Sequence, residues 1–258
     1  MGILVGEGEK DMFELFADYH THTRHSHGQD SVAAHAKMAR RRGLEEIGLA
    51  DHGPASWWPV GLRGERGWRR YRDECWEVDG EYGDVRVLLG MEANVVSLDG
   101  AIDVPRPWQK DLDLLLVGLH LEVWPQTWRD GKELVLNNGL GKRLSARLAR
   151  RARNLNTKAL VECVLRHDVD IITHPGLKMD IDTAELAQAC ARRDTALEIN
   201  SSHQYLNEEY IRLAAKEGVK FAISSDAHQA SDVGANEQGL ALARQAGLTA
   251  EQIINARG

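Results

Sequence analysis

The sequence predicts an α/β protein folded as a parallel barrel, and three observations carry that prediction. Short β-rich runs alternate with helical patterns seven times along the chain; alternation of this kind implies a mostly parallel sheet, and seven repeats favour closure over an open sheet. Nearly every one of these runs ends in a histidine or a carboxylate, as expected where the carboxyl ends of barrel strands converge on one face. The 258 residues are 43% hydrophobic with no low-complexity tract, which suits one core and one domain spanning 1–258.

The elements follow in order. Strand 16–20 precedes helix 31–42, strand 46–50 precedes helix 65–82, and strand 85–92 leads into Asp99–Lys110, where Pro105 and Pro107 make the segment read as loop. Strand 113–119 precedes a long helical stretch over 142–166. Strands 169–173, 195–200 and 219–224 then precede helices 183–193, 207–217 and 235–245. Gly218 and Gly247 stand where helices end and a left-handed residue is wanted.

Composition narrows the function. The longest apolar stretch, Leu112–Leu121, carries Asp113 and falls short of the roughly 20 residues of a membrane span. Glu7, Glu9, Lys10 and Asp11 follow only the three-residue apolar run Ile3–Val5 and precede every longer one, unlike a secretory signal, so a cytoplasmic protein with no membrane partner is expected. Cys75, Cys163 and Cys190 are widely spaced and read as free, buried thiols. A net charge of −7 argues against duplex nucleic acid as a partner. One segment departs from that balance: Gln126–Lys158 holds nine basic and two acidic residues. It reads either as a solvated helix surface or as an electrostatic funnel for a phosphorylated substrate. Trp57, Trp58, Trp124 and Trp128 lie in the loops after strands 2 and 4, where they either wall a pocket or pack the barrel top.

The strand ends point to metal. His20 and His22 are two apart in an extended run and so face one side, which suits two nitrogens on one ion. Asp226 and His228 repeat the spacing at the last strand. With Glu92, His27, His52, His120 and His174 they make nine candidate ligands, enough for up to three ions if Glu92 bridges. His25 is an alternative to His27. His35 and His167 fall inside helical patterns, and His203 follows strand 6 on the ligand face, where a substrate contact is expected. There is no GxSxG elbow, no GxxxxGK[ST] loop and no strand-linked GxGxxG. Gly139–Lys142 has a phosphate-loop flavour without the preceding strand.

Asp18–Thr23 with Ser26–Gly28, Ala50–Pro54, Gly90–Asn94, Gly118–His120, Thr173–Gly176, Glu198–Asn200 and Ser225–His228 together resemble the polymerase and histidinol phosphatase (PHP) family, over about residues 16–256. The likeness is greatest to its small stand-alone phosphatases. It implies a distorted seven-stranded (β/α)7 TIM-like barrel with a trinuclear site of divalent ions. The implied ligands are His20, His22, Glu92 and Asp226 for one ion, Glu92, His120 and His174 for a second, and His27, His52 and His228 for a third. Zinc, manganese, iron or magnesium all suit such donors. The expected activity is hydrolysis of a small phosphate monoester, with histidinol phosphate among those the resemblance allows, by a hydroxide bridging the ions and supported by Asp226, His228 and Glu92, with Arg24 and Lys178 gripping the phosphate. A basic insertion over about 126–156 is the departure from the smallest members. Alternative readings are a nuclease or nucleotide phosphatase, and a metal-binding module without turnover.

Overall fold

The computed structural model describes residues 13–57, 59–203 and 205–258. The acidic N-terminal residues and Trp58 discussed above lie outside them. Seven parallel strands form one sheet in sequence order: β2 (Ala17–Thr21), β3 (Glu46–Leu49), β4 (Arg86–Asn94), β5 (Leu114–Gly118), β6 (Ile171–Ile172), β7 (Ala196–Asn200) and β8 (Phe221–Ser224). The edges meet just beyond the ladder, where the His22 amide donates to the Ala227 carbonyl at 2.7 Å, so the barrel is nearly closed. All seven predicted strands are present. A further antiparallel pair, β1 (Glu14–Leu15) with β9 (Ala256–Arg257), is too short to show a period in the sequence.

Alternation along the strands sorts their side chains into two layers. Ile47, Leu49, Leu89, Val117, Leu197, Phe221 and Ile223 pack outward in one cluster with the helices; Ala17, Tyr19, Leu88, Leu116, Ile171, Ala196 and Ala222 make a second, inside the barrel. Two and four residues beyond those interior positions stand Glu92, His120 and Glu198. The inner face therefore turns from apolar to ionisable toward the carboxyl ends. In β2 the register against β3 shifts between Asp18 and Thr21, an irregularity of the kind that re-aims side chains next to a site.

The helices Val32–Arg41, Gly64–Glu81, Ala146–Arg166, Thr183–Arg193, Glu208–Lys216 and Glu237–Ala246 stand where the sequence predicts them, within a few residues. Gly218 and Gly247 adopt φ of 79° and 80°, as helix ends require. Two segments differ from the sequence reading. Arg106–Gln109 forms one helical turn within the expected loop; Pro105 starts it and Pro107 sits in its first turn, where a missing N–H costs nothing. The long helical stretch from 142 is broken at Ser145, whose extended backbone and hydroxyl cap the helix beginning at Ala146. Upstream of that break, Gly131–Gly141 is π-helical, so Gly139–Lys142 is not a phosphate loop. Glycines and asparagines make this segment a poor helix on propensity. Tertiary bonds hold it instead: Asn138 and Asn156 exchange two amide hydrogen bonds of 2.8 Å, and buried Glu133 accepts from Arg151 at 2.7 and 3.0 Å.

Cys75, Cys163 and Cys190 are free and buried, and burial raises the Cys163 thiol to about 12. No helix among the described residues is long and apolar enough to cross a membrane.

Candidate metal centre

All nine sequence-predicted ligands converge at the carboxyl ends of the strands. Glu92, fully buried, stands at their centre. Its Oε1 faces His174 Nε2 at 2.9 Å and His120 Nε2 at 3.3 Å, while its Oε2 faces His52 Nδ1 at 2.9 Å and the Nε2 atoms of His20 and His22 at 3.5 and 3.7 Å. One carboxylate thus addresses two groups of imidazoles through separate oxygens. Asp226 Oδ1 lies 3.2 Å from His22 Nε2 and 3.7 Å from His20 Nε2.

Three pairs of imidazoles turn nitrogen toward nitrogen: His20 Nε2 to His22 Nε2 at 3.0 Å, His120 Nε2 to His174 Nε2 at 3.4 Å, and His27 Nε2 to His228 Nε2 at 2.6 Å. In each pair one ring nitrogen can donate to the other when it carries the ring proton; with both protons on the far nitrogens the two lone pairs aim at one point, which suits a cation. Buried Glu92 Oε2 and His52 Nδ1 lie 2.9 Å apart without forming a hydrogen bond to each other or to any other group, as expected of atoms reserved for ions. The donor set therefore fits divalent metal. Four overlapping triads, His22–His27–His52, His20–His22–Glu92, His22–Asp226–His228 and His52–Glu92–His120, each keep their donor atoms within 4.8 Å. The triads share members, with His22 belonging to three of them.

Electrostatics agree with the donor chemistry. Burial would raise the Glu92 carboxyl, but His52, His120 and His20 draw it well below the ordinary range. Asp226 is likewise held low, by His20 and His22 against the effect of burial. His27 is depressed to about 4 by burial and by His52 and His228, which favours the neutral ring that a metal ligand requires.

Buried acceptors fix the loops that carry these side chains. Asp51 accepts from the Thr23 amide at 2.9 Å, the Thr23 hydroxyl at 2.6 Å and the Ser26 amide at 3.1 Å, which sets the turn presenting His27. Asp18 accepts from Ser225 and from the Gly234 amide at 2.8 Å, tying the Asp226 loop to β2. His174 and Asp226 adopt φ of 27° and 56°, a left-handed backbone that costs about 1–2 kcal/mol at a residue other than glycine. Asn94 Oδ1 lies 2.7 Å from His120 Nδ1, and Asn94 Nδ2 donates to Asp103 at 2.7 Å, so the other His120 nitrogen is left for an ion. Thr173 Oγ1 donates to Glu92 Oε1 at 2.7 Å.

A cleft of about 250 Å³ opens over the cluster, lined on its outer side by Ser56, Val60, Glu122, Leu177, Lys178 and His203. Lys178 and His203 are therefore where the sequence places them, with Lys178 Nζ 3.4 Å from Glu122 and His203 Nε2 3.7 Å from Asp226 Oδ2. Arg24 is not among the lining residues. Because Asp51 holds both Thr23 and Ser26, the intervening side chain turns outward, and its guanidinium lies 3.4 Å from Glu74. His25 also turns to Glu74, at 2.8 Å, which leaves His27 in the cluster. His35 is spent on the Ser31 carbonyl, and His167 closes the helix Ala146–Arg166. Trp57, Trp124 and Trp128 do not line the cleft. In the basic segment, Arg151 pairs with Glu133 and Arg153 with Asp182, while Lys142 donates to the Lys178 carbonyl at the cleft rim.

Comparison with known proteins agrees with this site. A probable phosphatase of Thermoanaerobacter sp. (strain X514) is 30% identical over 252 residues, covering 94% of this chain and 91% of its own. The probable phosphatase YcdX of Shigella flexneri is 28% identical over 250 residues, covering 92% and 89%. Among solved structures, HisK from Listeria monocytogenes superposes with a TM-score of 0.63 at 16% identity, over 84% of this chain and 97% of that one. The histidinol phosphate phosphatase of Lactococcus lactis, solved with zinc, L-histidinol and phosphate, gives 0.56 at 14%, over 89% and 91%. The model of the PHP domain matches residues 18–202; β8, Asp226 and His228 lie beyond it in the same barrel. Fold, ligand cluster and sequence relationship agree, and the chain belongs to the PHP domain family.

Proposed function

We propose that this protein is a metal-dependent phosphatase acting on small phosphate monoesters. The observation that carries the reading is the set of three imidazole pairs around Glu92 and Asp226, opening into one small cleft. The sequence relationship to proteins named as phosphatases supports the reaction class. His20, His22, Glu92 and Asp226 would hold one divalent ion, Glu92, His120 and His174 a second, and His27, His52 and His228 a third. Such ions supply Lewis acidity, neutralise phosphate charge and lower the pKa of a bound water.

The chain's own part is to bind, orient and exclude. The two carboxylates offset the positive charge of the ions within a buried cluster. Lys178, whose partner Glu122 is solvent-exposed, exchanges that weak pair for a phosphate oxygen at little cost. Val60 and Leu177 form the apolar wall that keeps bulk water from the ester. His203 Nε2 stands 3.7 Å from Asp226 Oδ2 at the mouth, where it contacts the bound substrate. The exposed cations Arg129, Lys132, Arg143, Arg147 and Arg150 draw the anionic substrate toward the cleft.

The test is phosphate release by zinc- or manganese-loaded protein from histidinol phosphate, sugar phosphates, nucleoside monophosphates and short oligonucleotides. Preferential release from one small monoester is expected. Preferential cleavage within oligonucleotides would move the assignment to a nuclease, and no release from any substrate by loaded protein would leave a binding module.

A further inference from the structure

Glu198 lies on the interior face of β7, two residues beyond the apolar Ala196, and is fully buried. Neither of its oxygens faces solvent or, among the described residues, a Lys or Arg side chain. Oε1 lies 2.7 Å from His20 Nδ1, and Oε2 accepts the His174 amide at 2.6 Å and Asn200 Nδ2 at 3.1 Å. Asn200 Nδ2 in turn lies 3.2 Å from Asp226 Oδ2. We propose that Glu198 is a positioning residue that sets two ion sites at once, by fixing the His20 tautomer and the backbone turn of His174. The inference rests on the metal-dependent reading above.

A carboxylate beside His20 Nδ1 requires the ring proton on that nitrogen, which leaves the Nε2 lone pair aimed at His22, Glu92 and Asp226. The second oxygen holds the amide of His174, whose φ of 27° an L-residue adopts only under constraint. That amide bond therefore helps to aim His174 Nε2 at Glu92 Oε1. His20 and His174 belong to different imidazole pairs, so one buried carboxylate couples them.

Glu198→Gln has nearly the same shape yet can satisfy only one of the two demands. With its oxygen on the His174 amide, its NH2 confronts His20 Nδ1 and drives the ring proton to Nε2, into the ion position. Flipped, its NH2 confronts the His174 amide and the turn loses its acceptor.

The experiment compares wild-type and Glu198→Gln proteins by zinc titration with metal analysis, alongside far-ultraviolet circular dichroism. The variant is expected to keep its secondary structure and to bind zinc about 10–100-fold more weakly. Equal binding by both proteins would overturn the inference alone, whereas wild-type protein that takes up no zinc would overturn the metal reading with it. A second measurement needs no variant. Imidazole nitrogen-15 spectra of zinc-loaded wild-type protein, with His20 assigned by its loss in His20→Gln, should show Nδ1 protonated and Nε2 bound to zinc. The opposite tautomer would overturn the proposal even if Glu198→Gln failed to fold.

Discussion

Glu92→Gln is expected to lower phosphate release by about 10³-fold, the loss that corresponds to several kcal/mol of transition-state charge stabilisation. No other carboxylate among the described residues meets so many of the candidate donors: its two oxygens reach His20, His22, His52, His120 and His174 at 2.9 to 3.7 Å. An amide there removes a negative charge and turns two N–H donors toward imidazole nitrogens that are meant to hold cations. Ion content should fall together with rate. A variant that kept both the ions and the turnover of the wild type would remove Glu92 from the centre of the site.

Gly118→Ala should have the next largest effect, although the residue has no functional group. A methyl group at this point of β5 would stand 2.6 Å from His120 Cε1, 2.7 Å from Thr173 Oγ1 and 3.0 Å from Glu92 Oε1. Each of these is closer than van der Waals contact allows, and all three neighbours hold or orient a candidate ligand. Displacement of about 1 Å at a reacting centre costs about 10²-fold in rate. Overpacking of this kind costs about 1–3 kcal/mol of stability, which in a chain of this size shifts the melting temperature by about 2–4 °C per kcal/mol. A much larger fall in kcat than in stability is the expected signature. Unchanged kcat would mean that the β5 carboxyl end can relax and that the cradle around Glu92 is less rigid than its contacts imply.

The sequence makes the barrel and its ligands legible for one physical reason. Strand ends in a parallel barrel share a face, so a histidine or carboxylate closing each apolar run must meet the others. His20, His52, Glu92, His120, His174 and Asp226 could be placed together without coordinates. The supporting residues leave a weaker trace. Glu198 carries a visible signal, an ionisable residue on the same strand face as Ala196, but only the structure shows which ligands it touches. Asp51 and Asp18 act through loop amides, and a bond between a side chain and a distant backbone leaves no periodic trace. The same bonds explain Arg24: sequence places it beside the first ligand pair, and the turn pinned by Asp51 directs it away to Glu74. The segment from Gly131 to Gly141 was opaque for a different reason. Its helix opposes local propensity and depends on Asn156 and Arg151, many residues later.

Metal dependence is measured by following phosphate release while ions are stripped by a chelator and then restored, with bound metal determined at each step. Release should fall with bound zinc or manganese and return as the ions are replaced, up to three per chain. Release that persists in metal-free protein, or that stays absent from protein holding its full complement of ions, would contradict the account.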